Sequence, residues 1–76
     1  MKPWKQYFMR YESDQMICGQ YDHLYGYAST VKTCKQYIRN CKKREAQYNP
    51  RNFRIYDSFA DIDPKTGFVP VVYSEA

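Results

Sequence analysis

The sequence predicts an α+β domain: a small antiparallel sheet of three or four strands, in the order ββαββ or βαββ, with one helix packed across one face. Three observations predict it. The stretch between Ser29 and Pro50 carries apolar residues at helical spacing with no Gly or Pro inside it, aromatic-rich alternating segments flank it on both sides, and Asp63-Pro-Lys-Thr-Gly67 has the chemistry of a hairpin turn. A sheet with one apolar face and a helix with one apolar stripe close most simply as two layers.

Each element follows from its residues. Met1 to Pro3 is read as a frayed start. Lys5 to Tyr11 alternates as a strand does, placing Tyr7, Met9 and Tyr11 on one face. Glu12-Ser-Asp-Gln15 reads as a polar turn, and Met16 to Tyr21 as an antiparallel return strand weakened by Gly19. Asp22 to Ala28 then reads as a loop leading to the helix. Ser29 or Thr30 supplies an N-cap acceptor, and Pro50 stops the helix, which is expected at Thr30 to Tyr48. On that helix Val31, Cys34, Tyr37, Ile38, Cys41 and Tyr48 share an arc of roughly 100°, the width of a core-facing stripe.

Beyond the helix, Asn52 to Ala60 reads as a strand with Phe53, Ile55 and Phe59 on one face; Asp57 interrupts that face and calls for a bulge or a local hydrogen-bonding role. Asp63, Pro64 and Gly67 stand where a type I turn followed by a left-handed glycine needs them. The return strand, Phe68 to Tyr73, contains Pro70, which donates no ladder hydrogen bond and so belongs at a sheet edge.

Length and composition bound the function. A chain of 76 residues has room for one core, so a single domain spanning 1–76 is expected. Nine tyrosines supply much of the apolar area, although mean hydropathy scales score them as polar. Cys18, Cys34 and Cys41 are odd in number and lack the paired spacing of a disulfide framework or a zinc site. Two of them lie seven positions apart on one helix, about 10.5 Å along its axis, too far to bridge. With no basic-then-apolar leader and no apolar run approaching the roughly 18 residues of a membrane span, a cytoplasmic protein is expected.

Catalytic and cofactor chemistry find no support in the residues. Cys18, Asp22 and His23 are near one another in sequence, but no nucleophile signature surrounds them. Cys18, His23, Cys34 and Cys41 are spaced poorly for one tetrahedral metal. The three glycines form no phosphate cradle. The expectation is a non-enzymatic protein without a cofactor, a small-molecule substrate or a membrane partner.

Charge carries the sharper signal. Between Lys32 and Arg44 there are six cations and no acid, whereas the rest of the chain holds six cations against eight acids, a net of −2, so the overall +4 originates in the helix. Lys32, Lys35, Arg39, Lys42 and Lys43 fall in one arc opposite the apolar stripe. Such a face suits an acidic protein surface or the phosphates of a nucleic acid, and it also serves simple solvation and the helix dipole. Tyr25 and Tyr27, just before the helix, join these cations as candidate partner-binding residues, since tyrosines are enriched in recognition surfaces and stack on bases. No nucleic-acid module signature is present. A monomer or weak homodimer is expected, the valines at 69, 71 and 72 offering a β-prone edge and the basic helices repelling one another.

Two C-terminal stretches, Tyr48-Asn-Pro-Arg-Asn-Phe-Arg-Ile-Tyr-Asp57 and Gly67-Phe-Val-Pro-Val-Val-Tyr73, resemble small proteins of unassigned function from Gram-positive phages and mobile elements. The resemblance covers roughly a third of the chain and transfers no functional residue. It implies an accessory protein acting on a host or element-encoded macromolecule, with inhibition of a defence nuclease, in the manner of anti-CRISPR proteins, among such activities.

Overall fold

In the computed structural model, which describes residues 6–75, the chain runs β1 (Tyr7–Ile17), β2 (Gln20–Ala28), α1 (Val31–Arg44), a short 3₁₀ turn (Ala46–Tyr48), β3 (Arg51–Asp57) and β4 (Val71–Glu75). The start expected at Met1–Pro3, and Lys5 of the first predicted strand, lie outside the described residues. The strands form one antiparallel sheet in the order β2-β1-β3-β4, with α1 against one face. Of the two predicted orders, ββαββ is the one present, and the C-terminal strand lies at the sheet edge as expected.

Tyr7, Met9 and Tyr11 do share a face, and it is the face beneath α1. There they meet Phe53 and Ile55 of β3 and the helical Cys34, Ile38 and Cys41, all nearly inaccessible to solvent. The predicted stripe is thus the buried one, Val31 and Tyr37 packing at its margins. Thr30 caps the helix, its Oγ1 accepting from the Thr33 amide at 3.2 Å. Tyr37 lies across β2 at Gly26, and its hydroxyl donates to the Tyr27 carbonyl at 2.9 Å.

The first hairpin departs from expectation. Glu12 to Gln15 is not a turn but part of β1, and Asp22 to Ala28 is not a loop but most of β2. The reversal comes later, at Cys18 and Gly19, whose φ values of 51° and 76° are those of a type I′ turn. Two irregularities hid this register. Tyr25 is an extra residue on β2, lying between the pairs Met9↔Gly26 and Arg10↔Leu24, and Ser13 to Met16 bulge between Glu12↔Asp22 and Ile17↔Gln20. Ser13 turns inward, fully buried, with its hydroxyl 3.0 Å from His23 Nε2.

The helix ends at Arg44 rather than Tyr48, because Ala46–Tyr48 tightens into the 3₁₀ turn and Asn49 takes a left-handed conformation. Likewise β3 stops at Asp57, leaving Phe59 exposed beyond it; Asp57 Oδ1 accepts from the Phe59 amide, the local role its position in the pattern called for. The turn at Asp63 forms as predicted, with the Thr66 and Gly67 amides donating to the Asp63 carbonyl and φ of 70° at Gly67. Its arms meet only at Asp63↔Phe68, and β4 begins at Val71, so Pro70 precedes the edge strand instead of interrupting it.

Candidate interaction surfaces

α1 carries its cations on a rigid base, since the same turns that bury Cys34, Ile38 and Cys41 present Lys32, Lys35, Arg39, Lys42 and Lys43 as exposed residues. Lys42, Lys43 and Arg44 occupy the last turn, where the carbonyl end of the helix favours positive charge. The five predicted cations are not equivalent. Lys42 Nζ lies 3.0 Å from Glu75 Oε1, and Lys35 Nζ sits 4.4 Å from the centre of the Tyr73 ring. Both reach toward β4, and Lys42 Nζ also lies 5.5 Å from the centre of the Phe53 ring. Arg39 donates to Gln36 Oε1 on its own helix. Among the described residues Lys32, Arg39, Lys43 and Arg44 form no ion pair.

The two predicted tyrosines are separated by the sheet. Tyr25 packs on the helix side, 5.3 Å from the Tyr37 ring and 6.2 Å from Tyr11. Tyr27 is on the other side, its ring 5.5 Å from Phe8. The extra residue at Tyr25 is the cause, because a bulge breaks the alternation by which residues two apart would share a face. The basic helix and these tyrosines do not form one surface.

On the face away from α1, Phe8 stacks on Tyr56 at 5.0 Å, and Phe68 stands edge-on to both. Next to this aromatic row, Arg10 and Arg54 are directly paired across β1 and β3. Such a like-charge pair is unfavourable without a counter-charge, and Asp22 bridges it, accepting from Arg10 Nε at 3.1 Å and Arg54 Nη2 at 2.7 Å and leaving the trio one net positive charge. Burial of the Arg54 guanidinium works against its charge, but the hydrogen bond and charge of Asp22 outweigh it, with Tyr56 adding to them, and raise its pKa above the ordinary value. Sequence reasoning missed this network because Arg10, Asp22 and Arg54 meet only through strand register.

A second feature invisible in the sequence is a cleft of about 430 Å³ at the start of β4, lined by Tyr56, Asp63, Thr66, Phe68, Val69, Pro70 and Val71. The Asp63–Gly67 turn forms one wall and the β3–β4 pair the other. The signal available beforehand was that same turn chemistry, read only as a hairpin.

Cys18 and His23 are not brought together: Cys18 is exposed at the hairpin turn, and His23 is buried against Ser13. All three cysteines are free, with Cys34 and Cys41 in the core. Among the described residues no cluster of three or more His, Cys, Asp or Glu side chains is arranged to hold a metal, and no helix is long and apolar enough to cross a membrane. Comparison of the chain with protein-family models, curated proteins and solved structures gives no match.

Proposed function

We propose that the protein is a small, non-enzymatic, cytoplasmic binding protein that engages an acidic protein surface through the outward cations of α1. The observation that carries this reading is the run from Lys32 to Arg44, six cations without an acid, held on a helix whose other side is locked into the core. A preorganised helix loses little entropy on docking, and a one-signed face accelerates and orients encounter with a complementary one. The C-terminal resemblance suggests the setting: an accessory protein of a phage or mobile element, with an anti-defence role.

Direct nucleic-acid binding through the same helix is the second reading. What favours protein over nucleic acid is that, among the described residues, the rings beside the cations, Tyr25, Tyr37 and Tyr73, are all half-buried against the core. Single-strand binders add stacking to phosphate contacts, and these half-buried rings offer little open face to stack on.

Affinity capture from the host cell, with nuclease treatment, tests the proposal. The expected result is an acidic protein retained by the wild type after nuclease digestion and lost at least tenfold by the triple variant Lys32→Glu, Arg39→Glu, Lys43→Glu. Retention by that variant would remove α1 as the site. Tight binding of random single-stranded DNA that falls steeply with salt would establish the second reading instead.

A further inference from the structure

β4 is paired only with β3, so among the described residues one side of Val71–Glu75 carries backbone groups outside any ladder. Pro70 lies just before the strand, so each residue of β4 keeps its amide, with Val72 an extra residue between the pairs Tyr56↔Val71 and Ile55↔Tyr73. The 430 Å³ cleft opens at the start of this same strand, and Val71 belongs to both. We propose that the β4 edge and this cleft form a peptide-binding site, taking an extended segment of a partner as a fifth strand with a large apolar side chain seated in the cleft.

Geometry and chemistry select this occupant. Strand addition satisfies edge amides and carbonyls whatever the peptide sequence, and selectivity then comes from a pocket reading alternate side chains. The cleft is near the lower end of the ~300–1,000 Å³ range of ligand sites, the scale of one or two side chains. Its lining is mainly Tyr56, Phe68, Val69, Pro70 and Val71, which suits an aromatic or branched aliphatic group. Phe68 and Val71 are about half exposed, at 48% and 49%, and so have apolar area left to bury.

Charge narrows it further. At the cleft end of β4 the segment from Asp57 to Gly67 has three acids, Asp57, Asp61 and Asp63, against the single cation Lys65, whereas Glu75 at the far end is paired with Lys42. A segment with Lys or Arg beside its apolar anchor is therefore complementary, whereas the phosphates of a nucleic acid are not. A second copy fits less well, because its β4 has no Lys or Arg of its own and its Glu75 is already paired with Lys42. The cleft lies at the Val71 end of the strand, whereas the α1 cations Lys35 and Lys42 reach its Tyr73 and Glu75 end.

The test is selection from a phage-displayed random dodecapeptide library on the full chain, followed by calorimetry with the enriched peptides. Expected are peptides with alternating apolar residues and an adjacent Lys or Arg. Their affinity should fall at least tenfold when alternate backbone amides are N-methylated, and again with Val71→Arg, which fills and charges the cleft mouth at an exposed position. Amide shifts in NMR spectra should centre on Val71–Glu75. No enrichment, or peptides indifferent to N-methylation and to Val71→Arg, would overturn the proposal. So would a concentration-dependent dimer abolished by Val71→Arg, since it would give the edge to a second copy.

Discussion

Cys34 and Cys41 show how burial alone sets the chemistry of a side chain. Each is fully buried, and loss of hydration penalises the thiolate, so both thiols are pushed up to about 11. At Cys41 burial is the main cause; the carboxylate of Glu45 adds to it, while a hydrogen bond from Tyr11 and the charge of Arg44 oppose it. Tyr11 is raised in turn, chiefly by burial and then by Cys41 and Glu45. An unfolded thiol ionises near about 8.5, so in alkali the unfolded chain releases protons that the folded chain retains. The stability these groups contribute is complete below that pH and is lost as pH rises toward about 11. Urea unfolding under reducing conditions between pH 7 and that limit should show a falling midpoint, and Cys34→Ala should flatten the fall; a midpoint independent of pH would show that the thiols are hydrated. Cys18, exposed at its turn, should react with a thiol reagent in the native state, before the other two.

Among the elements, the β1–β2 hairpin is the one whose sequence and geometry disagree most. Its two-residue turn requires positive φ at Cys18, a conformation costing an ordinary L-residue roughly 1 kcal/mol or more and tolerated best by Asn or Gly. Met16, Ile17 and Tyr21 beside it are exposed, so no packing compensates. Cys18→Asn, giving Asn-Gly, should therefore stabilise the protein by about 0.5–1 kcal/mol, measured as a higher urea midpoint at unchanged m-value. A lower midpoint would mean that the turn is not of this type.

Among the described residues one core cluster lies between the sheet and α1, to which the first hairpin, α1 and β3 each contribute buried side chains. Ile38 is central to it, 2% exposed between the sheet and the helix axis. Ile38→Ala should cost about 2–5 kcal/mol, out of the roughly 5–15 kcal/mol that a domain possesses. Because a single cluster joins the layers, far-ultraviolet and tyrosine near-ultraviolet signals should be lost together in both proteins. A loss under about 0.5 kcal/mol, or separated transitions, would contradict the shared core.

What the sequence determined by itself was local or periodic. The α1 stripe, a cap at Ser29 or Thr30, the turn from Asp63 to Gly67 and an order of ββαββ or βαββ were legible because each depends on neighbours within a few positions, where spacing and backbone preference act directly. Tertiary structure decided everything that rests on register. The bulges at Tyr25 and at Ser13–Met16 extended the first hairpin and sent Tyr25 and Tyr27 to opposite faces; the Arg10–Asp22–Arg54 network, the reach of Lys35 and Lys42 toward β4, and the cleft under Asp63–Gly67 arise between residues far apart in the chain. The physical reason is the two-residue period of a strand: one inserted residue reverses every side chain after it, and only the partner strand determines whether that residue is inserted.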